Sequence, residues 1–443
     1  MRYGSLCALG LTLALASLAA AQAERPASPP ATTDRVPDKA PDKPTTDKGA
    51  VATPAPATLG PIVAPADPAM PGTPVGTCAP AAPTTDCGHQ FWFSAEYLWW
   101  KVKDQSLPPL VTTGPATFPV GFLGNPGTVV LFGGSDHGQG TLNGVRLRAG
   151  MWVDDCRTIG LEGSFFCLPD QSNRTTFTSA QFPVLTRPFT DINTGSPNSE
   201  FAAFPGIATG AISIENKTKF CGFSLLARCP ACVGCDYRLD VVGGGQYLDL
   251  REELTITESP SFAPGGPFPN LSGTRFVATD TFKTRNQFVG AVIGLDGTYF
   301  MGPWSVNLAA SVAVGNNHET IEIQGSQIAT TAAGTTTVLP GGLLALPGAN
   351  IGKFTKNEFS VVPQMGINIG YQLTENIQIF GGYTCIYWSR VVRPGDQIDT
   401  VLDVNRIPNF GTGPTATSVR PVVPFHQTDF WAQGVSVGVA FSW

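Results

Sequence analysis

Four charged residues on three strand-like segments form the clearest constellation for chemistry in this sequence. Glu96 lies among aromatic residues, Arg146 and Arg148 flank Leu147, and Glu162 follows in the next segment. Because successive side chains of a strand point to opposite faces, all four charges fall opposite the apolar face. Arginine can bind a carboxylate through two parallel hydrogen bonds. If these strands are neighbours in a closed sheet, the cluster either braces the interior or forms a charged constriction that selects or gates solutes.

Cysteine usage gives a second candidate site. Cys229, Cys232 and Cys235 have the spacing C-x₂-C-x₂-C, which resembles part of an iron–sulfur or metal site but lacks a fourth ligand. An exported chain meets oxidising conditions, so we expect disulfides rather than a metal or cofactor. The candidate disulfide cysteines cluster at or near one end of the predicted strands: Cys78, Cys87, Cys156, Cys229, Cys232 and Cys235. Their pairing stays open. Three further cysteines have no evident role: Cys167, Cys221 and Cys385.

Histidine beside a carboxylate is the usual arrangement of a general base. Asp136 and His137 precede the second strand, and His426 precedes the last strand close to Asp429, so we expect both pairs near one rim. The sequence contains neither G-x-S-x-G nor H-E-x-x-H, and short Asp/His pairs are common in loops. A rim hydrolase therefore ranks behind the non-catalytic alternatives, and we expect no enzyme.

The last strand shows what kind of sheet must position these residues. From Trp431 to Trp443 every second residue is large and mostly apolar, whereas the residues between them are small or polar. A soluble sheet would have to cover the apolar face with further chain, but a transmembrane β-barrel leaves that face to lipid. This pattern predicts an outer-membrane β-barrel.

About ten strands follow from Phe91 onward, and their connections alternate strictly between short and long. The long ones are rich in Gly, Pro, Thr and Ser: 103–140, 169–213, 259–284, 325–353 and 394–427. Outer-membrane barrels combine an even strand number with short periplasmic turns and long extracellular loops. Large aromatic residues near strand ends predict interfacial girdles: Trp99, Trp100, Tyr371, Tyr383, Tyr387, Trp388, Trp431 and Trp443.

The amino-terminal part divides into two further regions. Residues 1–23 have one early positive charge, a short apolar run and an Ala-Gln-Ala cleavage pattern, which predicts a secretory signal peptide. Residues 24–88 are rich in Pro, Ala and Thr and predict a disordered tether. This tether is either a spacer or a segment that associates with cell-wall material. Residues 89–443 are then the barrel domain, with outer-membrane lipid as its partner.

Composition narrows the functional classes. The chain has a net charge of −6 and only 14% charged residues, so its composition gives no indication of nucleic-acid binding, which would require a basic patch or stripe. Gly 50 and Pro 39 suit an all-β chain with many turns. The oligomeric state stays open.

Several separated stretches resemble the seventh family of predicted β-barrel porins, found mainly in planctomycete bacteria. They are FWFSAEYLWW from Phe91, GVRLRAGMWVDDCRTIGLEGSFF from Gly144, GAVIGLDG from Gly290, GNNH from Gly315 and YTCIYWSRVVRPGDQI from Tyr383. The resemblance implies a porin-like outer-membrane barrel. The expected lumen is narrow or plugged, with passive solute passage. The alternative is a non-conducting barrel for surface recognition or anchoring through its long loops.

Overall fold

The computed structural model describes residues 90–117, 120–408 and 416–443. The predicted signal peptide, 1–23, and Pro-rich tether, 24–88, lie outside the described residues. No helix among the described residues is long and apolar enough to cross a membrane.

Ten long strands form one closed antiparallel barrel, so the predicted fold class and strand number are confirmed. Each strand pairs with the next in the chain, and the last pairs with the first. The strands are β1 Phe91–Val102, β2 Thr141–Trp152, β3 Gly160–Thr178, β4 Ala211–Val233, β5 Tyr237–Glu258, β6 Arg275–Met301, β7 Trp304–Thr330, β8 Gly352–Gln372, β9 Ile377–Val392 and β10 Gln427–Ser442.

The connections alternate in length as the sequence predicted. Short turns are 153–159, 234–236, 302–303 and 373–376. Long connections are 103–140, 179–210, 259–274, 331–351 and 393–426. All long connections therefore lie at one end, the extracellular end of an outer-membrane barrel.

The outer face of the strands carries a continuous apolar band. Val435, Val437 and Phe441 of β10 are exposed on this face, whereas Ala432 and Ser436 are buried. Comparable exposed side chains surround the barrel, among them Tyr97, Val145, Phe165, Leu225, Val289, Leu308, Met365 and Ile369. Lipid is the environment in which such a band is stable.

Two of the predicted girdle residues are not in a girdle. Trp99 and Tyr387 are exposed on the outer face, but their neighbours Trp100 and Trp388 are 0% exposed inside the barrel. The physical reason is the pleat, because adjacent residues of a strand cannot share a face.

Several strands extend beyond the apolar band on the extracellular side. The sequence predicts a strand over 287–299, whereas β6 runs from Arg275 to Met301. In the added part, inward Phe276 and Phe282 are buried, and outward Lys283 and Arg285 are charged. This part of the strand lies beyond the acyl chains of the lipid, so it lacks the apolar outer face by which the sequence marks a membrane strand.

The long connections fold over the extracellular mouth as a cap. Their short strands are Gln105–Leu107, Val111–Thr113, Val129–Phe132, Ser135–His137, Leu185–Asp191, Ser196–Ala203, Ala208–Thr209, Ser261–Phe262, Thr336–Pro340 and Val401–Leu402. In the described part of these connections, 3₁₀ turns occur at Pro269–Leu271, Gly395–Gln397 and Val404–Arg406. Cap residues such as Leu185, Phe189 and Leu344 share one hydrophobic cluster with barrel residues Ile256 and Phe282.

Candidate functional site

An apolar layer crosses the lumen below the cap. Aromatic side chains from six strands point inward and are at most 6% exposed: Trp100, Phe166, Phe220, Phe288, Trp388 and Phe430. Their ring centroids form a chain of contacts across the interior, with Phe166–Phe220 at 5.0 Å, Phe220–Phe430 at 5.2 Å, Trp100–Phe166 at 5.5 Å and Phe288–Trp388 at 6.1 Å.

The side chains of this layer fill the cross-section of the lumen instead of lining an open channel. Buried aliphatic side chains, including Leu248 and Val362, fill the space between the rings. A ten-stranded barrel lies between side-chain-filled eight-stranded barrels and open 16–18-stranded porins. A fully packed apolar layer keeps water and ions out of this section of the lumen.

The first part of the charged cluster lies directly beneath the aromatic layer. Arg146 lies 3.3 Å from Glu96 and Arg148 lies 3.6 Å from the other oxygen of the same carboxylate. Arg146 also donates to Thr384 Oγ1 at 3.2 Å, and its guanidinium lies 5.0 Å from the Trp100 ring centroid. The pairing of β1 with β2 places Glu96 directly opposite Arg146.

Glu162 pairs with an arginine that is not among the four predicted residues. Its carboxylate lies 3.1 Å from Arg228. Arg228 also lies 3.1 Å from Asp240 and 3.2 Å from Asp296, so three carboxylates surround one guanidinium. The reason is the β3–β4 register, which sets Glu162 opposite Leu226, two residues from Arg228 on the same face.

Sequence reasoning missed the second half of this cluster, namely Arg228, Asp240 and Asp296. The sequence predicts a fourth strand over 217–227, which stops one residue short of Arg228, whereas β4 continues to Val233. The inward alternation of Phe220, Leu226 and Arg228 was the available signal.

The charged residues surround two adjoining cavities below the layer. The cavity next to the layer has a volume of about 140 Å³, and the second has about 300 Å³. Both are lined by Arg148, Glu162 and Asp296. The second also reaches Phe300 and Ala440, close to the periplasmic ends of β6 and β10. A solute that enters from the periplasmic side would therefore meet these charges before it reaches the aromatic layer.

The cap forms a second closure above the layer and is held by buried ion pairs. Asp280 of β6 lies 2.6 Å from Arg187 in the cap and accepts backbone hydrogen bonds from Leu343, Leu344 and Ala345. Arg393 pairs with Glu252 of β5 at 2.6 Å.

A carboxyl pair lies where the cap meets the barrel, with Glu200 in the cap and Glu258 at the end of β5. The side chain of Glu200 hydrogen-bonds that of Glu258, with Arg187 and Asp280 facing both. Burial, and then the charge of Glu258, raise the pKa of Glu200 well above its ordinary value. The raised pKa of Glu200 favours its protonated form where the cap meets the end of β5.

The cysteines of the described residues are either disulfide-bonded or free. Cys167 of β3 and Cys221 of β4, to which sequence reasoning gave no role, form a disulfide. Of the candidate disulfide cysteines, Cys229 and Cys235 are disulfide-bonded. Cys156 and Cys232 are free and exposed, and Cys385 is also free. Cys78 and Cys87 lie outside the described residues. No group of three His, Cys, Asp or Glu side chains that could hold a metal ion occurs in the described ranges.

The histidines do not form the predicted Asp/His pairs. Asp429 pairs with Lys103 at 2.6 Å. His137 Nε2 accepts a hydrogen bond from the Gly133 backbone, and its ring stacks on Phe132 at 4.2 Å. His426 lines a cleft between the first and fifth long connections. His89 lies outside the described residues.

The sequence also matches a family model. Residues 92–443 match the family described as "Putative beta barrel porin-7 (BBP7)". The chain belongs to this family. It is a porin-like β-barrel protein of the outer membrane, and outer-membrane lipid surrounds its apolar band. No curated protein matches the chain.

Solved barrels are similar to this BBP7 protein only distantly. The outer membrane protease OmpT from Escherichia coli is 9% identical, with a TM-score of 0.39, covering 80% of this chain and 97% of that one. A Pseudomonas aeruginosa FadL homologue is 9% identical, with a TM-score of 0.23, covering 80% and 90%. The P. putida toluene transporter TodX is 10% identical, with a TM-score of 0.20, covering 80% and 89%. At these values, nothing about the activity of this chain follows from theirs.

Proposed function

We propose that this BBP7 protein is a porin-like barrel whose resting state is closed. The observation that carries the proposal is the aromatic layer, in which Phe220, Trp388 and Phe430 are 0% exposed at the centre of the lumen. Passive passage of a solute then requires this layer to move.

Two closures act in series in this proposal. The cap is tied to the barrel by Asp280 and Glu252, and the layer lies beneath it. Buried ion pairs are costly to break because each separated charge stays desolvated. The closed state is therefore stable until something releases the cap or repacks the layer.

The charged cluster is proposed as the filter for a solute that approaches from the periplasmic side. Arg148 is the arginine best placed for this role, because its ion pair with Glu96 is the longest of the cluster at 3.6 Å and its side chain is 30% exposed. Arg146 and Arg228 are more buried and act as braces.

The proposal also covers the amino-terminal regions, the absence of enzymatic activity and the origin of the protein. Residues 1–23 act as an export signal, and residues 24–88 serve as a spacer before the barrel or associate with cell-wall material. The protein is not an enzyme, which its membership of a porin family supports. Its resemblance to a mainly planctomycete family supports a planctomycete origin.

Liposome swelling tests the closed state. Purified protein is reconstituted into liposomes loaded with an impermeant polymer, and swelling in a small neutral sugar is followed by light scattering. The wild type should give swelling close to that of empty liposomes. A variant with Phe220→Ala and Trp388→Ala should swell, because two large side chains leave the centre of the seal.

The matched control carries Phe223→Ala and Tyr387→Ala, which remove aromatic rings from the outer face of the same two strands. It should behave as the wild type does. Rapid swelling by the wild type would contradict the closed state. Equal, negligible swelling by all three proteins would favour the non-conducting alternative, a barrel used for anchoring or surface recognition.

A further inference from the structure

A row of three basic residues lies across neighbouring strands on the outer face of the barrel. Lys219 of β4 is directly opposite Arg251 of β5, and Arg251 is directly opposite Arg285 of β6. The flanking Phe220, Leu250 and Thr284 are buried inside, so the three bases point outward. Neighbouring strands are about 4.8 Å apart, so the row is about 10 Å long.

Like charges directly opposite each other destabilise a sheet. The next row, farther from the membrane, avoids this cost, because Lys217, Glu253, Lys283, Glu322 and Lys353 alternate in sign across five strands. The row of three bases therefore departs from the pattern of its own surroundings.

Neighbouring carboxylates neutralise the row only in part. Asp249 lies 2.7 Å from Arg251 and 2.8 Å from Arg285, so one carboxylate serves two guanidinium groups. Lys219 lies 3.4 Å from Asp170, whose side chain is 70% exposed. Three positive charges and two negative ones leave an excess positive charge on this surface.

The row lies close to the apolar band of the outer face. Each base lies four residues beyond an outward residue of that band on the same strand: Phe223, Tyr247 and Val289. Four residues of a strand span about 13 Å, which for a tilted strand is about 10 Å along the membrane normal. At this distance from the apolar band the bases lie at the level of the lipid head groups. The bases lie on the extracellular side of the band, next to the outer leaflet.

We propose that Lys219, Arg251 and Arg285 bind the phosphate-bearing head group of an outer-leaflet lipid. The phosphate supplies the negative charge that the row lacks, and its oxygens accept charge-assisted hydrogen bonds from arginine and lysine. The acyl chains of the same lipid then lie against Phe223 and Val289. A head group is the favoured source of the phosphate because the row is continuous with the lipid-facing band.

Native mass spectrometry of the purified full barrel tests the proposal. The protein in a neutral detergent is titrated with dioleoylphosphatidylglycerol or with zwitterionic dioleoylphosphatidylcholine, and lipid adducts are counted. The wild type should prefer phosphatidylglycerol. A variant with Lys219→Gln, Arg251→Gln and Arg285→Gln should bind it more weakly, by about fivefold per base or on the order of 100-fold in total.

The control is Lys217→Gln, Lys283→Gln and Lys353→Gln, which removes the same charge from the alternating row. It should retain the preference of the wild type. Equal loss in both variants, or no preference in the wild type, would overturn the proposal. Displacement of phosphatidylglycerol by inorganic phosphate at comparable concentration would also overturn it, since the site would then bind a free anion. Should the triple variant fail to fold, Arg251→Gln and Arg285→Gln singly must each weaken binding about fivefold.

Discussion

Replacing Arg228 by methionine should cost much of the stability of the barrel. The guanidinium is surrounded by Glu162, Asp240 and Asp296 at 3.1, 3.1 and 3.2 Å, and its side chain is 16% exposed. Arg238 also lies 2.8 Å from Asp240, so the variant leaves two carboxylates without a cation. Removing one partner of a buried ion pair costs about 3–5 kcal/mol. We expect a loss near the lower value, because the adjoining cavity admits water to the cluster.

The assay is urea unfolding of the protein in lipid vesicles, followed by tryptophan fluorescence. The control is Arg174→Met, because Arg174 pairs with Glu215 but its side chain is 65% exposed. Exposed pairs contribute about 0–1 kcal/mol, so the control should lose little. Adding Glu162→Gln to Arg228→Met should recover part of the loss by removing one of the uncompensated charges. Equal, small losses for Arg228→Met and Arg174→Met would refute the view that Arg228 braces the lumen.

Three other predictions concern the cap and the filter. Asp280→Asn removes the charge that holds Arg187, so trypsin should cleave the long connections of intact cells at least several-fold faster than in the wild type. The unfolded chain releases the proton of Glu200 near the ordinary pKa of glutamate. Because the pKa of Glu200 is raised in the folded cap, the cap keeps this proton to a higher pH. The stability of the cap should therefore fall as the pH rises from that value towards the raised pKa. Glu200→Gln, which keeps a hydrogen-bond donor for Glu258, should weaken this dependence when cleavage is compared at pH values of about 5 and 8. The dependence that remains comes from Glu258, whose pKa burial also raises. In the Phe220→Ala and Trp388→Ala background, Arg148→Gln should shift the reversal potential towards cation selectivity, and an unchanged potential would exclude Arg148 as the filter.

The part of the fold inside the lipid could be predicted because lipid imposes a simple rule on the sequence. Every second residue of β10 is apolar, and the strands between short turns follow the same alternation, so strand number and topology were readable. The opposition of Glu96 and Arg146 followed because their strands are consecutive in the chain. When each strand pairs with the next strand in the chain, the order of the strands in the sheet is fixed.

The extracellular half could not be predicted in the same way. The outer part of β6 has charged residues and threonines on its outer face, and Asp280, Thr284 and Asn286 among its inward residues, so it reads as a polar loop. The contact of Asp280 with Leu343, Leu344 and Ala345 joins residues far apart in the sequence. The aromatic layer was missed because Trp100 and Trp388 were assigned with their outward neighbours to the girdles. A strict count of alternation would have turned both inward.

Single-channel recording in planar bilayers tests the central claim, a lumen sealed by packed side chains, most directly. The wild-type barrel should give a flat baseline at moderate voltage, whereas the Phe220→Ala and Trp388→Ala variant should give discrete conductance steps. Stable, ohmic steps from the wild type, unchanged by that variant, would contradict the account.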